Sequence, residues 1–211
     1  MEHITLPNLF FQKALENSDK PFLWAKRNKE WKSLSWHETE IKVKQVAAGL
    51  KYHGIMPGDK IIIVSENRPE WIISDLAINT LNAITVPAYV TNTEDDHRYI
   101  IEHSDAKAVI VSDNIIANRI ALALSKVNSC KLLITMDEYS GFMPEGLKVE
   151  SYEKLTQIGE ENISTALHNL NTIDKDDICC LIYTSGTGGR PKGVMLTHKS
   201  IYHNILGADD L

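Results

Sequence analysis

Residues 183–198 read YTSGTGGRPKGVMLTH. Gly186, Gly188 and Gly189 are free to take positive φ, which lets successive backbone N–H groups converge on one point. Thr184, Ser185 and Thr187 add hydroxyl donors, and Arg190 and Lys192 add fixed positive charge. Amides, hydroxyls and cations arranged around a concavity make a cradle for phosphate oxygens. Each charge-assisted bond in such a cradle is worth about 1.5–3 kcal/mol. Pro191 withdraws one N–H and stiffens the approach to Lys192. Most loops rich in Gly, Ser and Thr are plain turns, but a plain turn has no need of this many donors beside two cations.

The segment is neither of two common phosphate loops. A Walker A loop runs Gly-Lys-Ser/Thr straight into a helix. Here Pro191 precedes the lysine, Gly193 follows it, and Val194 to Thr197 favour an extended chain. A dinucleotide fingerprint needs G-x-G-x-x-G at the start of a helix, which is also missing. The spacing therefore predicts strand, loop, strand, with the incoming strand at ICCLIYT (178–184) and a helix from about His198.

Those strands need a sheet to join. KIIIVS (60–65), KAVIVS (107–112) and KLLIT (131–135) are short, apolar and β-branched, as expected of strands buried on both faces. ITVPAYV (84–90) reads as extended. Between these runs lie helical patterns at 68–83, with Pro69 tolerated in the first turn, at 94–103 with Thr93 as cap, and at 114–127. Upstream, residues 8–17 have helical spacing. FLWAK and EWKSLSW flank RNK as a hairpin, and Ser35 with Glu38 forms a capping box for a helix over 41–50 that ends near Gly54. Gly141 to Gly146 and residues 174–177 read as a loop and a turn, and 151–170 as helix with irregular parts. Strands alternating with helices define an α/β fold around a largely parallel sheet.

The bulk numbers agree. The chain has 211 residues, 43% hydrophobic and 24% charged, enough for one sizeable core. Lys plus Arg number 22 against 28 Asp plus Glu, a formal charge of −6, so bulk electrostatics give no reason to expect a nucleic-acid partner. Cys130, Cys179 and Cys180 make a poor disulfide set and fit a reducing compartment. No CxxC or HExxH spacing suggests a metal site. The N-terminus lacks a secretory pattern, and the longest uncharged stretch, 76–93, is broken by Asn, Thr and Pro87. A cytoplasmic location follows as the default, with peripheral membrane contact left open.

The glycine loop resembles the signature loop of the AMP-forming adenylating enzymes: acyl-CoA synthetases, peptide-synthetase adenylation domains and luciferase. Ser185, Gly186, Thr187, Gly189, Pro191, Lys192 and Gly193 match that pattern. Gly188 departs from it: a hydroxyl residue is usual there, so one side-chain donor is lost. NRPEW (67–71), VPAYVTNT (86–93) and YIIEHSDAK (99–107) are most similar to the long-chain fatty acyl-CoA branch, and the resemblance runs from about residue 20 to the end.

The resemblance implies the N-terminal subdomain of the AMP-binding synthetase fold, with residues 1–211 as a partial AMP-binding domain. It implies two half-reactions. A carboxylate attacks the α-phosphate of ATP, giving an acyl-adenylate and pyrophosphate, and coenzyme A then displaces AMP. ATP, Mg²⁺ and coenzyme A are the implied cofactors and co-substrates, and a fatty acid is the implied substrate. Thr184, Ser185, Gly186, Thr187, Gly188, Gly189 and Lys192 are the implied phosphate contacts. In the family the adenine, metal and ribose contacts and a mobile lid come later, so the expectation is a truncated piece, inactive alone and completed downstream or by a separately encoded part. A non-catalytic remnant or interaction module, and an adenylating enzyme with another carboxylate substrate, stay open. Trp71, Pro87, Tyr89, Asp95, Asp96, Asp174, Asp176 and Asp177 are read as structural, and His198 and His203 as cap or surface residues.

Overall fold

The computed structural model describes residues 5–184 and 189–209. Helix α1 (Leu6–Asn17) leads into a hairpin of β1 (Pro21–Arg27) and β2 (Glu30–Ser35). The hairpin turns at Asn28 and Lys29, both at positive φ (52° and 69°), the pair of left-handed residues that a two-residue turn requires. Helix α2 (Trp36–Tyr52) starts on the expected capping box: the Glu38 N–H donates to Ser35 Oγ at 3.1 Å, and the Ser35 N–H donates to Glu38 Oε2 at 2.7 Å.

The alternating part follows. It comprises β3 (Lys60–Val64), α3 (Pro69–Thr80), β4 (Ile84–Pro87), α4 (Glu94–Ser104), β5 (Ala106–Val111), α5 (Asn114–Leu124), β6 (Leu132–Thr135), β7 (Lys148–Ser151) and α6 (Tyr152–Glu161). Two 3₁₀ turns, Ile163–Thr165 and Leu170–Thr172, lead to β8 (Ile178–Thr184), β9 (Lys192–Thr197) and α7 (His198–Asp209). Strands β3 to β9 form one sheet in the order β7-β6-β5-β3-β4-β8-β9. Every pair is parallel except β8–β9, which is antiparallel. The chain is thus α/β with a mostly parallel sheet flanked by helices.

The apolar strands have no polar face because both faces are covered. Ile61, Ile63, Ala108, Ile110, Leu132 and Ile134 pack with α1, α2, α3 and α6 through Phe10, Val43, Val46, Ile73, Ala77 and Leu155. The alternate residues Ile62, Val64, Val109, Val111 and Leu133 pack with α4 and α5 through Ile100, Ile101, Ile116 and Ile120. Each such side chain contributes about 1.5–3 kcal/mol by leaving water. Helices α2 and α6 touch backbone to backbone: a Cβ on Gly159 would collide with the Gln45 carbonyl.

Several readings change: the extended run expected over 84–90 is a strand only to Pro87, and the helix expected over 68–83 stops at Thr80. Strand β7 was not expected, since KVES has no apolar run, and it sits at the sheet edge beside β6 with residues in parallel register from Leu132↔Lys148 to Thr135↔Ser151. The helix expected over 114–127 stops at Leu124. The uncertain stretch 151–170 resolves into α6 and the first of the 3₁₀ turns, with the second starting at Leu170.

Candidate phosphate-binding site

Strand β8 runs parallel to β4, which it meets at Thr85↔Cys180, so its C-terminal end emerges at the carboxyl edge of the sheet with those of β3, β5 and β6. That edge is where open α/β sheets hold their ligands. The antiparallel pairing of β8 with β9 places Thr184 directly opposite Lys192, and both are exposed. The strand–loop–strand expectation therefore holds, with these two candidate residues facing each other across the mouth of the hairpin. Ser185, Gly186, Thr187 and Gly188 lie outside the described residues.

Gly189 is exposed and lies in a bend. Gly193 has a packing role. A Cβ there would lie 2.9 Å from Leu181 Cδ1 and 3.4 Å from Tyr183 Cζ, so only glycine lets those side chains lie across β9. Arg190 differs from expectation. Rather than standing beside Lys192 as a second cation for phosphate, its guanidinium sits over the Tyr99 ring, 5.1 Å from the centroid.

Helix α4 holds both stems of this hairpin, which the sequence did not reveal. Tyr99 Oη donates to the Pro191 carbonyl at 2.9 Å. His103 Nδ1 and Tyr183 Oη are hydrogen-bonded at 2.7 Å. Burial pushes the Tyr183 phenol up to about 12, so it stays protonated at neutral pH. A cavity of about 350 Å³ lies beside this contact, lined by Asp95, Asp96, Arg98, Tyr99, Glu102, Arg190 and Pro191.

At the carboxyl ends of β3, β5 and β6 a second polar group orders the start of α3. Arg68 Nε donates to Glu70 Oε2 at 2.9 Å, and its Nη1 donates to Asp137 Oδ1 at 3.0 Å. Arg27 Nη2 donates to Glu70 Oε1 at 2.7 Å, tying the β1–β2 hairpin to α3. Burial pushes the Glu70 carboxyl up, but the Arg68 guanidinium outweighs it and holds the group below the usual carboxylate range. Ser112 Oγ donates to Glu66 Oε2 at 2.6 Å.

The residues read as structural mostly behave so. Asp96 closes a capping box with Thr93, Asp95 pairs with Arg98, and Trp71 packs partly buried against the first core. Asp177 is more than a solvated turn residue: its carboxylate accepts from Asn82 Nδ2 at 3.0 Å and from the Asp174 N–H at 2.9 Å. His198 is neither surface nor cap. It is 1% exposed, and its Nδ1 accepts the Leu6 N–H at 3.3 Å, joining the start of α7 to α1. Burial pushes its imidazole down to about 4 against a partial pull upward from Asp177, so it is neutral and able to accept. His203 is exposed. Cys179 is buried and Cys180 partly so, and burial pushes both thiols up to about 12, which makes them unreactive packing groups. Among the described residues no cluster of three or more His, Cys, Asp or Glu is placed to hold a metal ion.

A mostly parallel α/β sheet whose β8–β9 hairpin opens at its carboxyl edge is a framework on which nucleotide sites are commonly built. The chain belongs to the AMP-binding enzyme family, whose profile matches residues 10–210. It is 29% identical over 208 residues to the long-chain-fatty-acid–CoA ligase FadD15 of Mycobacterium tuberculosis, covering 98% of this chain and 33% of that protein. It is 29% identical over 184 residues to the peroxisomal long chain acyl-CoA synthetase 7 of Arabidopsis thaliana, covering 85% of this chain and 26% of that one. The chain thus spans a third or less of these relatives. In fold it is similar to the A-PCP didomain of carboxylic acid reductase from Segniliparus rugosus, solved in complex with AMP, with a TM-score of 0.82, 18% identity and coverage of 96% and 33% of the two chains.

Proposed function

We propose that this chain supplies the phosphate-binding part of an ATP-dependent ligase that activates a long-chain fatty acid, first to the acyl-adenylate and then to acyl-CoA. The observation that carries the reading is the pairing of Thr184 and Lys192 across the mouth of the signature loop at the carboxyl edge of the sheet. The reaction has an electrostatic obstacle, because an anionic carboxylate must reach a polyanionic triphosphate. A fatty-acid carboxylate oxygen bonds to the α-phosphorus as the α–β bridging bond breaks, and the electron pair leaves with pyrophosphate. Lys192, the Thr184 hydroxyl, and Ser185 through Gly189 hold the departing β- and γ-phosphates and offset the charge that develops there. Mg²⁺ carried on the nucleotide would share that neutralisation. In the second step the coenzyme A thiol, losing its proton, attacks the acyl carbon and expels AMP.

The identity of about 30% to long-chain acyl-CoA ligases supports the fatty-acid substrate. The 211 residues alone are proposed to bind phosphates without turnover, the adenine and acyl contacts coming from further sequence or from a separate chain. A cytoplasmic location belongs to the same reading. Among the described residues no helix is long and apolar enough to cross a membrane. Peripheral membrane contact is supported by the β1–β2 hairpin, where Trp24 and Trp31 stand 55% and 66% exposed on the same face as Lys26, near Lys29 in the turn. Co-sedimentation with anionic vesicles that survives Trp24→Ser with Trp31→Ser would remove the hairpin from that role.

The test is acyl-dependent ATP–pyrophosphate exchange by the polypeptide of the whole reading frame, with fatty, aromatic and amino acids offered in turn. Exchange strongest with fatty acids is expected. Exchange confined to another acid would overturn the substrate, and none with any acid would make the chain a non-catalytic family member.

A further inference from the structure

We infer that Tyr99 and His103 are positioning residues for the phosphate loop, and that Arg190 anchors the loop's stem rather than binding phosphate. The inference rests on the proposed phosphate-binding reading for its consequence, but not for its geometry. Tyr99 and His103 stand at i and i+4 on α4 and so share one face of the helix. Each reaches a different stem. His103 meets Tyr183, the residue before Thr184, and Tyr99 meets the carbonyl of Pro191, the residue before Lys192. The contact points therefore flank the mouth: Tyr183 lies one residue before it on β8, and Pro191 lies one residue to the loop side of Lys192.

The rings reinforce the bonds. Tyr99 and His103 have centroids 5.2 Å apart, and Tyr183 meets both edge-on at 6.3 and 5.6 Å. Proline fixes its own φ, so pinning the Pro191 carbonyl also fixes the peptide plane that delivers Lys192. The helix doing the pinning is itself anchored. It starts on the Thr93–Asp96 capping box, and Ile100, Ile101 and Ser104 are buried beneath it. A loop whose residues must meet an oxyanion needs such rigid supports just outside it.

Arg190 completes the latch. Its guanidinium covers the Tyr99 ring, and Asp95, Asp96 and Glu102 line the same cavity. Asp95 pairs with Arg98 and Asp96 with Thr93, and the cavity's three carboxylates against two guanidiniums disfavour phosphate there. Lys192 is left as the cation that serves the nucleotide.

The test uses the 211-residue chain with pyrophosphate as probe. Tyr99→Phe keeps the ring and its contact with Arg190 but removes the hydroxyl. Trypsin does not cut Arg–Pro bonds, so cleavage after Lys192 reports opening of the stem, and cleavage after Lys29 at the distant hairpin tip is the control. For Tyr99→Phe, cleavage at Lys192 is expected to rise about 2- to 10-fold, the size of one lost hydrogen bond. Cleavage at Lys29 and the urea midpoint stay as in the unaltered chain, and pyrophosphate binding weakens by a similar factor. Arg190→Ala is expected to weaken pyrophosphate binding no more than Tyr99→Phe does.

Cleavage at Lys192 at the unaltered rate would overturn the positioning role. So would acceleration at Lys29 and Lys192 alike with a lowered midpoint, which would leave Tyr99 a packing residue. Arg190→Ala as damaging as Lys192→Ala would overturn the anchor role. Failure of the unaltered chain to bind pyrophosphate would instead strike the phosphate-binding reading, while the cleavage pattern still judges the latch.

Discussion

Strands β3 and β8 lie in one sheet, separated only by β4, yet they are held in different ways. Strand β3 is paired along its length on both sides, five residues with β5 and four with β4, and Ile61 to Val64 are at most 1% exposed. Strand β8 meets β4 in register at one pair, Thr85↔Cys180, and its other neighbour, β9, leaves Met195 65% exposed. The centre is fixed by burial. The hairpin that carries the candidate site is fixed by a few polar ties: Tyr99 to Pro191, His103 to Tyr183, Asn82 to Asp177 and His198 to Leu6. The proposed phosphate loop thus sits on a part of the sheet less buried than its centre and held more by replaceable polar bonds.

The largest test of that contrast is in the centre. Ile63→Ala is expected to cost about 2–5 kcal/mol in urea unfolding, from lost burial and the cavity left behind. A loss under about 1 kcal/mol would mean that the centre is not the stabilising region described.

Acid separates the two regions next. His97 on α4, over the second core, and His198 behind the hairpin are each 1% exposed, and burial pushes both down to about 4. The Arg119 charge adds to the shift at His97, and Asp96 partly opposes it. A histidine held neutral in the fold contributes stability that is present above its unfolded value near 6.5 and is lost as pH falls toward 4. Each contributes at most about 3 kcal/mol. A pH series of urea midpoints should fall between pH 6.5 and 4. His97→Asn should flatten one share of the fall and His198→Asn the other, whereas a flat unaltered series would remove both assignments.

A smaller effect lies at the seam between the regions. Burial pushes the Asp75 carboxyl up to about 6, against hydrogen bonds from Thr85 and Asn79. The native state then holds its proton more tightly than the unfolded chain, so ionisation costs stability as pH rises from about 4 to 6. Asp75→Asn should raise stability at pH 7 by about 1–2 kcal/mol and leave it unchanged below pH 4. No gain at neutral pH would show the seam to be better solvated than described. Smallest of all, Met195→Ala on β9 should shift stability by less than about 0.5 kcal/mol. A loss matching that of Ile63→Ala would abolish the contrast between the regions.

The sequence was legible where one local rule decided the outcome. KIIIVS and KAVIVS became strands because both of their faces are apolar and a flanked sheet buries both, and ICCLIYT became one although most of it is only half-buried. Thr93 and Ser35 capped helices because the partner carboxylate stands three residues on. The hairpin form of the glycine loop followed from Pro191 and the β-prone residues after Gly193. What stayed hidden depended on distant partners. His198 looks like a helix-start residue, and its burial comes from a contact with Leu6, 192 positions away. Tyr99 and His103 look like an ordinary amphipathic helix face, and only the fold brings them to the loop's stems. Arg190 and Lys192 look alike in the sequence, but in the fold Arg190 covers the Tyr99 ring while Lys192 stands opposite Thr184. Strand β7 carries no apolar signal, because an edge strand needs none.

The central claim is that the hairpin mouth grips nucleotide phosphates through Lys192. Titration calorimetry of MgATP into the 211-residue chain and into its Lys192→Ala variant tests it most directly. Saturable binding by the unaltered chain, weakened at least about 10-fold in the variant by loss of one charge-assisted bond, with the urea midpoint unchanged, is the expected result. Equal affinity in both, or binding in neither, would contradict it.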